Sequence, residues 1–409
     1  MACSRPDAVI IGAGHAGMSA SYLLKSKGID HVVFEQSRLG DSWRTQRWDT
    51  FTLVTPGWMN HLPGFAHPFG DGGFMTRGEV VSYLEGYAAT LSLPVREGRR
   101  VSAVRQLGDG RFRVDVEDER LVSRVVVVAT GAMRRPKIPA WAQALPPGIA
   151  QMHTCEYRNP AQLRPGAVLV VGSGQSGCQI AEELLEAGRS VYLSVGRCGR
   201  MPRRYRGTDC ATWVAKAGYY DQTVDMQRTD PVACNPYVSG KRGGHEINLR
   251  KLASRGLRLL GRCQGVADGV VTMADDLEEN LAAADLFATK MREAIDAFIQ
   301  QQGIEAPLDP PEPPVQDRGV EAPSSLPLKE AGIATVIWAT GFQQPDFSWI
   351  DAPVFDAAGS PVHRRGKVGS PGLYFLGLPW LYKSKSSLIY GIEEDASYVA
   401  DDIGALLRA

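Results

Sequence analysis

Ala8-Val9-Ile10-Ile11-Gly12-Ala13-Gly14-His15-Ala16-Gly17 decides the fold. The apolar run reads as a short buried strand, and the G-x-G-x-x-G after it opens a helical stretch carrying Met18, Tyr22 and Leu23. The same pattern returns at Ala167-Val168-Leu169-Val170-Val171, which runs into Gly172-Ser173-Gly174-Gln175-Ser176-Gly177 and a helix bearing Ile180, Leu184 and Leu185. Each helix ends near a glycine, Gly28 or Gly188, and a second strand follows, over residues 31–35 and 190–195. The chain therefore carries two βαβ units. The expected class is α/β, with two Rossmann-like three-layer domains, the second inserted into the first.

One G-x-G-x-x-G is weak evidence, because glycines also fill ordinary turns. Two copies, each between a strand and a helix, say much more. The first glycine makes the tight turn, the second lets a pyrophosphate approach, and the third lets helix pack on strand. The helix N-terminus supplies free N–H donors. Gly12, Gly14, His15, Ala16 and Gly17 thus form one candidate dinucleotide loop, and Gly172, Gly174, Gln175, Ser176 and Gly177 the other.

The end of the second strand separates the two ligands. Glu35 closes Val32-Val33-Phe34, and a carboxylate there accepts from ribose hydroxyls while repelling a 2′-phosphate. The first unit therefore suits FAD or NAD. The matching place in the second unit holds Gly196-Arg197, with Arg200, Arg203 and Arg204 close behind. A guanidinium binds a 2′-phosphate bidentately, so NADPH is favoured there over NADH.

Trp43, Arg44, Arg47, Trp48 and Asp49 crowd the stretch after Leu39-Gly40. They suit a flat, partly anionic ring system, although Trp43 and Trp48 also suit a core. Strands over 124–128 and 334–338 both end in Ala-Thr-Gly, at Ala129-Thr130-Gly131 and Ala339-Thr340-Gly341, where a small turn lets backbone approach a ligand. Residues 281–302 have apolar spacing for a long core helix, and 307–327, with seven prolines, read as an extended connector. The expected division is 1–160 with 325–409 in the first domain, and 161–324 in the second. The stretch 199–302 is expected to shape a pocket, and its Trp213, Tyr219, Tyr220 and Tyr237 suit an apolar guest or, equally, a core.

The 409-residue chain has 45 basic and 45 acidic side chains, so no net charge directs it to nucleic acid or an anionic membrane surface. Its seven cysteines lack paired spacing and read as free thiols in a reducing, cytoplasmic setting. No apolar run is long enough to span a bilayer, and no His/Cys spacing fits a metal. The expected partners are a small organic substrate and O2. A homodimer is left open.

The two glycine motifs in this order, the G-x-x-W-R loop, both Ala-Thr-Gly turns and His153-Thr154-Cys155-Glu156-Tyr157-Arg158-Asn159-Pro160 resemble the class B flavin-dependent monooxygenases. That group comprises the flavin-containing monooxygenases and their CzcO-like bacterial relatives. The resemblance spans nearly the whole chain, and over 48–88 the chain is also similar to the auxin-forming plant members. It implies FAD on the first unit and NADPH on the second. It further implies a C4a-peroxyflavin that passes one oxygen atom to substrate and releases the other as water. It adds Gln36, Thr55 and Val101 to the expected FAD contacts. In the family fingerprint F-x-G-x-x-x-H-x-x-x-Y/F, Pro146 replaces the Phe and Gly148 lies one residue too far from His153. Tyr157 closes it where Baeyer–Villiger members carry Trp, so hydroxylation or N/S oxidation is favoured. Pro56 stands where heteroatom oxidisers often carry Asn after Thr55, leaving Asn60 as a weak substitute for a catalytic amide. His153 is expected to act in the linker rather than as an acid–base group.

Overall fold

In the computed structural model, which describes residues 6–66, 72–226, 234–310 and 322–409, each glycine motif leaves the carboxyl end of an inner strand of its own sheet. Strand Ala8–Ile11 lies between His31–Phe34 and Val125–Val128, parallel to both, with Ile10 opposite Val33 and Val127. Strand Ala167–Val171 lies in the same way between Val191–Ser194 and Ile333–Trp338. These strands are covered on both faces, which explains their unbroken Val/Ile runs. The first sheet has seven strands and the second five.

The repeat is therefore longer than strand, helix and strand. It includes a third strand ending in Ala-Thr-Gly, and that moves the expected domain boundary. Ile333–Trp338 and Ala150–His153 were placed with the first domain by position, but both pair in the second sheet. The cause is the sheet's need for a neighbour on the far side of Ala167–Val171, which an apolar strand supplies wherever it falls in sequence. Leu373–Phe375 and helix Ile392–Arg408 return to the first unit, the helix packing on His15–Ser26 with Lys27 paired to Asp401 at 2.6 Å.

A four-stranded sheet flanks the first unit. Its strand Phe112–Val116 buries Phe112, Val114 and Val116 and leaves Arg113 and Asp115 on the other face. Within the second unit, helix Leu277–Gln302 starts four residues before the expected point and buries Leu277, Leu281, Ala284, Ala288, Ile295 and Ile299. The 307–327 connector is corrected at its end: Ser325–Pro327 is a strand paired with Val270–Thr272. Residues 311–321 of that connector, and Cys3, lie outside the described residues.

Candidate dinucleotide sites

The two loops have matching geometry. Gly12 has φ +101°, and a Cβ there would stand 2.5 Å from the Ala129 carbonyl oxygen. Gly172 has φ +107°, and its Cβ would stand 2.6 Å from the Ala339 oxygen. Each Ala-Thr-Gly turn is thus stacked on the loop of its own unit, Ala129-Thr130-Gly131 on the first and Ala339-Thr340-Gly341 on the second. A Cβ on Gly17 or Gly177 would fall 1.9 Å from the carbonyl oxygen of Gly12 or Gly172. Gly14 differs, because a Cβ there would meet nothing within 4 Å. The middle of the first loop faces open room at the N-terminus of helix His15–Ser26, as a pyrophosphate requires.

Glu35 is held at the strand end. Ala13 N–H donates to its Oε2 and Ser37 N–H to its Oε1, both at 3.0 Å. The carboxylate is half-buried beside the loop, with lone pairs left for further donors. Gln36 next to it is exposed, and Val101 begins a strand two residues after Arg99, whose N–H donates to the Glu35 carbonyl at 2.8 Å. His15 is half-buried with its ring desolvated, which drives its pKa down to about 4 against the Ser387 backbone contact, and its buried Nε2 has no partner among the described residues. An orphaned buried nitrogen beside a glycine cradle with room at Gly14 calls for a ligand group.

The tryptophan–arginine stretch divides. Trp43 is half-buried, 5.8 Å from Phe51, with the Arg47 guanidinium 5.2 Å over its ring. Arg44 pairs with Glu85 and, with Arg38 and Arg77, lines a recess of about 360 Å³. Trp48 corrects the expectation of a ligand contact: it is 3% exposed and belongs to the core under the second sheet. Asp49 is also corrected, since its carboxylate pairs with Arg77 at 3.2 Å and accepts from Asn159 Nδ2 at 2.6 Å, clamping the linker between the units.

Thr55 donates to Asn60 Oδ1 at 2.7 Å, and Asn60 Nδ2 donates to the Thr55 and Pro56 carbonyls at 2.9 and 3.0 Å. Asn60 is 1% exposed, so its amide holds a turn and offers no donor to a reacting group. That removes it as a catalytic substitute. His153 behaves as a linker residue: Nε2 donates to the Gly341 carbonyl at 2.9 Å and Nδ1 accepts from Cys155 N–H at 3.3 Å.

In the second loop, Ser173 Oγ donates to the Gly196 carbonyl at 3.2 Å and accepts from Gly196 N–H at 3.0 Å. This reciprocal pair ties Gly196-Arg197 to the glycine loop. Arg197 is exposed, with no hydrogen bond or ion pair among the described residues. Of the arginines behind it that were expected to add positive charge, two are spent in buried ion pairs. Arg200 is buried against Glu246 and Asp285, and Arg203 against Asp209 at 2.5 Å. Arg204 is exposed and donates to the Gly243 carbonyl at 3.0 Å from a short hairpin. Gln175 opens the helix but its amide is joined to Val238, and Ser176 beside it is half-buried. Thr340 donates to the Lys137 carbonyl.

Sequence reasoning missed the contribution of the C-terminal stretch. A Cβ on Gly377 would stand 2.8 Å from Ala16, Ser387 backs His15, and Tyr390 stacks edge-on between Trp58 and Tyr220 at 5.4 and 5.7 Å. The signal was present as another strand running into glycine, Leu373–Phe375 then Leu376-Gly377. The inserted segment reaches the first unit here, Trp58 Nε1 donating to Thr212 Oγ1 at 3.1 Å and Arg203 to the Val54 carbonyl at 2.9 Å. Of the aromatics that suited either a pocket or a core, Trp213 and Tyr237 are core residues at 2% and 1% exposure. Among the described residues no cluster fits a metal, and no helix is long and apolar enough to cross a membrane.

Two glycine cradles, each stacked on its own Ala-Thr-Gly turn, define a two-dinucleotide oxidoreductase. The model of the pyridine nucleotide-disulphide oxidoreductases matches residues 9–215, and the chain belongs to that family. It is similar to an uncharacterized CzcO-like oxidoreductase of Geobacillus kaustophilus, 34% identical over 407 residues, 97% of this chain and 98% of the relative. Over 193 residues, 46% of this chain and 48% of the relative, it is 33% identical to the indole-3-pyruvate monooxygenase YUCCA1 of Oryza sativa. Its fold matches the flavin-containing monooxygenase of Stenotrophomonas maltophilia with a TM-score of 0.68 at 20% identity, over 98% of this chain and 99% of that one.

Proposed function

We propose that this oxidoreductase is an FAD- and NADPH-dependent monooxygenase acting on a small organic substrate, by hydroxylation or N/S oxidation rather than Baeyer–Villiger insertion. The observation that carries the reading is the contrast between the cradles: a held carboxylate, Glu35, beside one, and an unpaired guanidinium, Arg197, beside the other. Glu35 selects a ribose without a 2′-phosphate, and Arg197 selects one with it. FAD, when bound, takes a hydride from NADPH and lets O2 be divided between substrate and water.

The chain's own groups position and shield. Gly14 and the helix N-terminus would cradle the FAD pyrophosphate, and His15 Nε2 would find its missing partner on the same ligand. Trp58, Tyr220 and Tyr390 line one side of the space where the inserted segment closes on the first unit, and they limit water there. A buried Tyr157 in place of the Baeyer–Villiger tryptophan supports the choice of reaction.

The test follows NADPH oxidation under 18O-labelled O2 against a panel of sulfides, amines, aromatic acids and ketones. One labelled oxygen in a product, with NADPH consumed one for one, is expected. Hydrogen peroxide equal to NADPH across the panel, with no labelled product, overturns the reading in favour of an NADPH oxidase.

A further inference from the structure

The middle glycine of the second loop is not open as Gly14 is. A Cβ on Gly174 would stand 3.0 Å from Cys234 Sγ. Cys234 is exposed, and its sulfur lies 2.8 Å from that of Cys198, a buried residue directly after Arg197. A sequence separation of thirty-six hides this pair in the sequence. The backbone holds them together: Tyr237 N–H donates to the Gly199 carbonyl at 2.9 Å, and Met201 N–H to that of Tyr237 at 3.1 Å. Gln175 and Gln179 fasten Val238 over the same helix end. A third thiol, Cys178, is fully buried and donates to the Ser173 carbonyl.

We propose that Cys198 and Cys234 form a reversible disulfide that locks Cys234 over Gly174 and closes the second nucleotide site. The proposal rests on the reading of Gly172–Gly177 as the NADPH cradle. As free thiols, the pair lets the 234–238 segment yield to an entering pyrophosphate. As a disulfide, it is pinned to the turn that carries Arg197. The sulfurs need to close by less than 1 Å to reach a bond of about 2.0 Å. Hydrogen bonding from Cys198 lowers the Cys234 thiol to about 7, so it is the attacking sulfur.

The oxidant is hydrogen peroxide. Cys234 thiolate attacks the O–O bond, which breaks to leave Cys234 as sulfenic acid and release hydroxide, protonated to water. Cys198 sulfur then bonds to Cys234 sulfur and expels the second oxygen as water. Two thiols lose two electrons and two protons, and one peroxide becomes two waters. A small dithiol reverses the bond by exchange.

The full chain, reduced and freed of reductant, is treated with a slight excess of hydrogen peroxide. Thiol titration, peptide mapping by mass spectrometry and calorimetric NADP+ binding are then compared with the reduced protein. Loss of two thiols, a 198–234 cross-link, and an NADP+ Kd raised at least tenfold and restored by dithiothreitol are expected. FAD affinity should not change. Cys234→Ser, at the exposed position, should abolish both the cross-link and the loss of affinity. Absence of the cross-link overturns the proposal, as does a cross-link with unchanged NADP+ affinity. Reduced protein that binds no NADP+ overturns the gate together with the nucleotide site, and is seen before any peroxide is added.

Discussion

Alanine at Gly14 separates room for a ligand from room for packing. Gly12 cannot accept a Cβ, because its φ is +101° and the Ala129 carbonyl oxygen lies 2.5 Å away. Gly14 has φ −73° and ψ −178°, extended backbone open to any residue, and its Cβ would meet nothing within 4 Å. Flavin-free Gly14→Ala protein should therefore match the wild type, or gain about 0.4–1 kcal/mol because alanine narrows the unfolded ensemble. With FAD the methyl stands where the pyrophosphate must reach the helix N-terminus. Losing one charge-assisted hydrogen bond costs about 1.5–3 kcal/mol, so the FAD Kd should rise roughly 10- to 150-fold. Urea midpoints of the flavin-free proteins and titration of FAD by fluorescence quenching measure both effects. Gly12→Ala is the control, and should lose stability without any flavin. Unchanged FAD affinity in Gly14→Ala, or a loss of flavin-free stability like that of Gly12→Ala, would refute the assignment of the space to a phosphate.

Arg197→Ala should raise KM for NADPH by about 10- to 100-fold and leave that for NADH nearly unchanged, because the lost bonds go to the 2′-phosphate alone; steady-state kinetics with both nucleotides decide it, and equal losses would return Arg197 to a structural role. Glu35→Ala should yield protein largely colourless on purification, with FAD affinity down about 10- to 100-fold; full flavin occupancy in that variant would contradict the reading of the first cradle. His245 accepts a raised pKa chiefly from its hydrogen bond to Glu182, 2.9 Å away. The stabilisation is complete below the ordinary value of 6.5 and is lost as pH rises through the folded value. The stability gap between wild type and His245→Ala should therefore be wide near pH 5 and narrow by about pH 9, as urea denaturation across that range will show.

What could be read in sequence was local. Strand, glycine turn and helix are contiguous, so each cradle and its Glu35 or Arg197 stand in one run, 8–35 or 167–197. Distant partners could not be read. Arg197, Arg200 and Arg203 look alike in sequence, and only Asp285, Glu246 and Asp209 decide that two of them are buried ion pairs. Trp48 and Asp49 look like ligand residues until the second core and Asn159 meet them. Asn60 looks available until its amide is seen closing its own turn. The strand Ile333–Trp338 has the same form as Val125–Val128, and nothing within it says which sheet it joins.

The difference between the cradles is itself consistent with two kinds of ligand. The first is uncovered at Gly14, yet walled by Gly377, Ser387 and the C-terminal helix that packs on His15–Ser26. A ligand there is enclosed by elements of the core and would leave only with their loosening, as suits a group retained through many turnovers. The second is covered at Gly174 by Cys234, on a segment held by two backbone hydrogen bonds to Gly199 and Met201 and by the Gln175 and Gln179 side-chain amides. Those bonds are individually worth about 1 kcal/mol, small enough for an arriving dinucleotide to displace. A nucleotide that must enter and leave at each cycle needs such a cover, and a covalent bond between Cys198 and Cys234 would change that weak cover into a fixed one. The same two-loop geometry thus supports one retained and one exchanging ligand, through what packs over the middle glycine rather than through the glycines themselves.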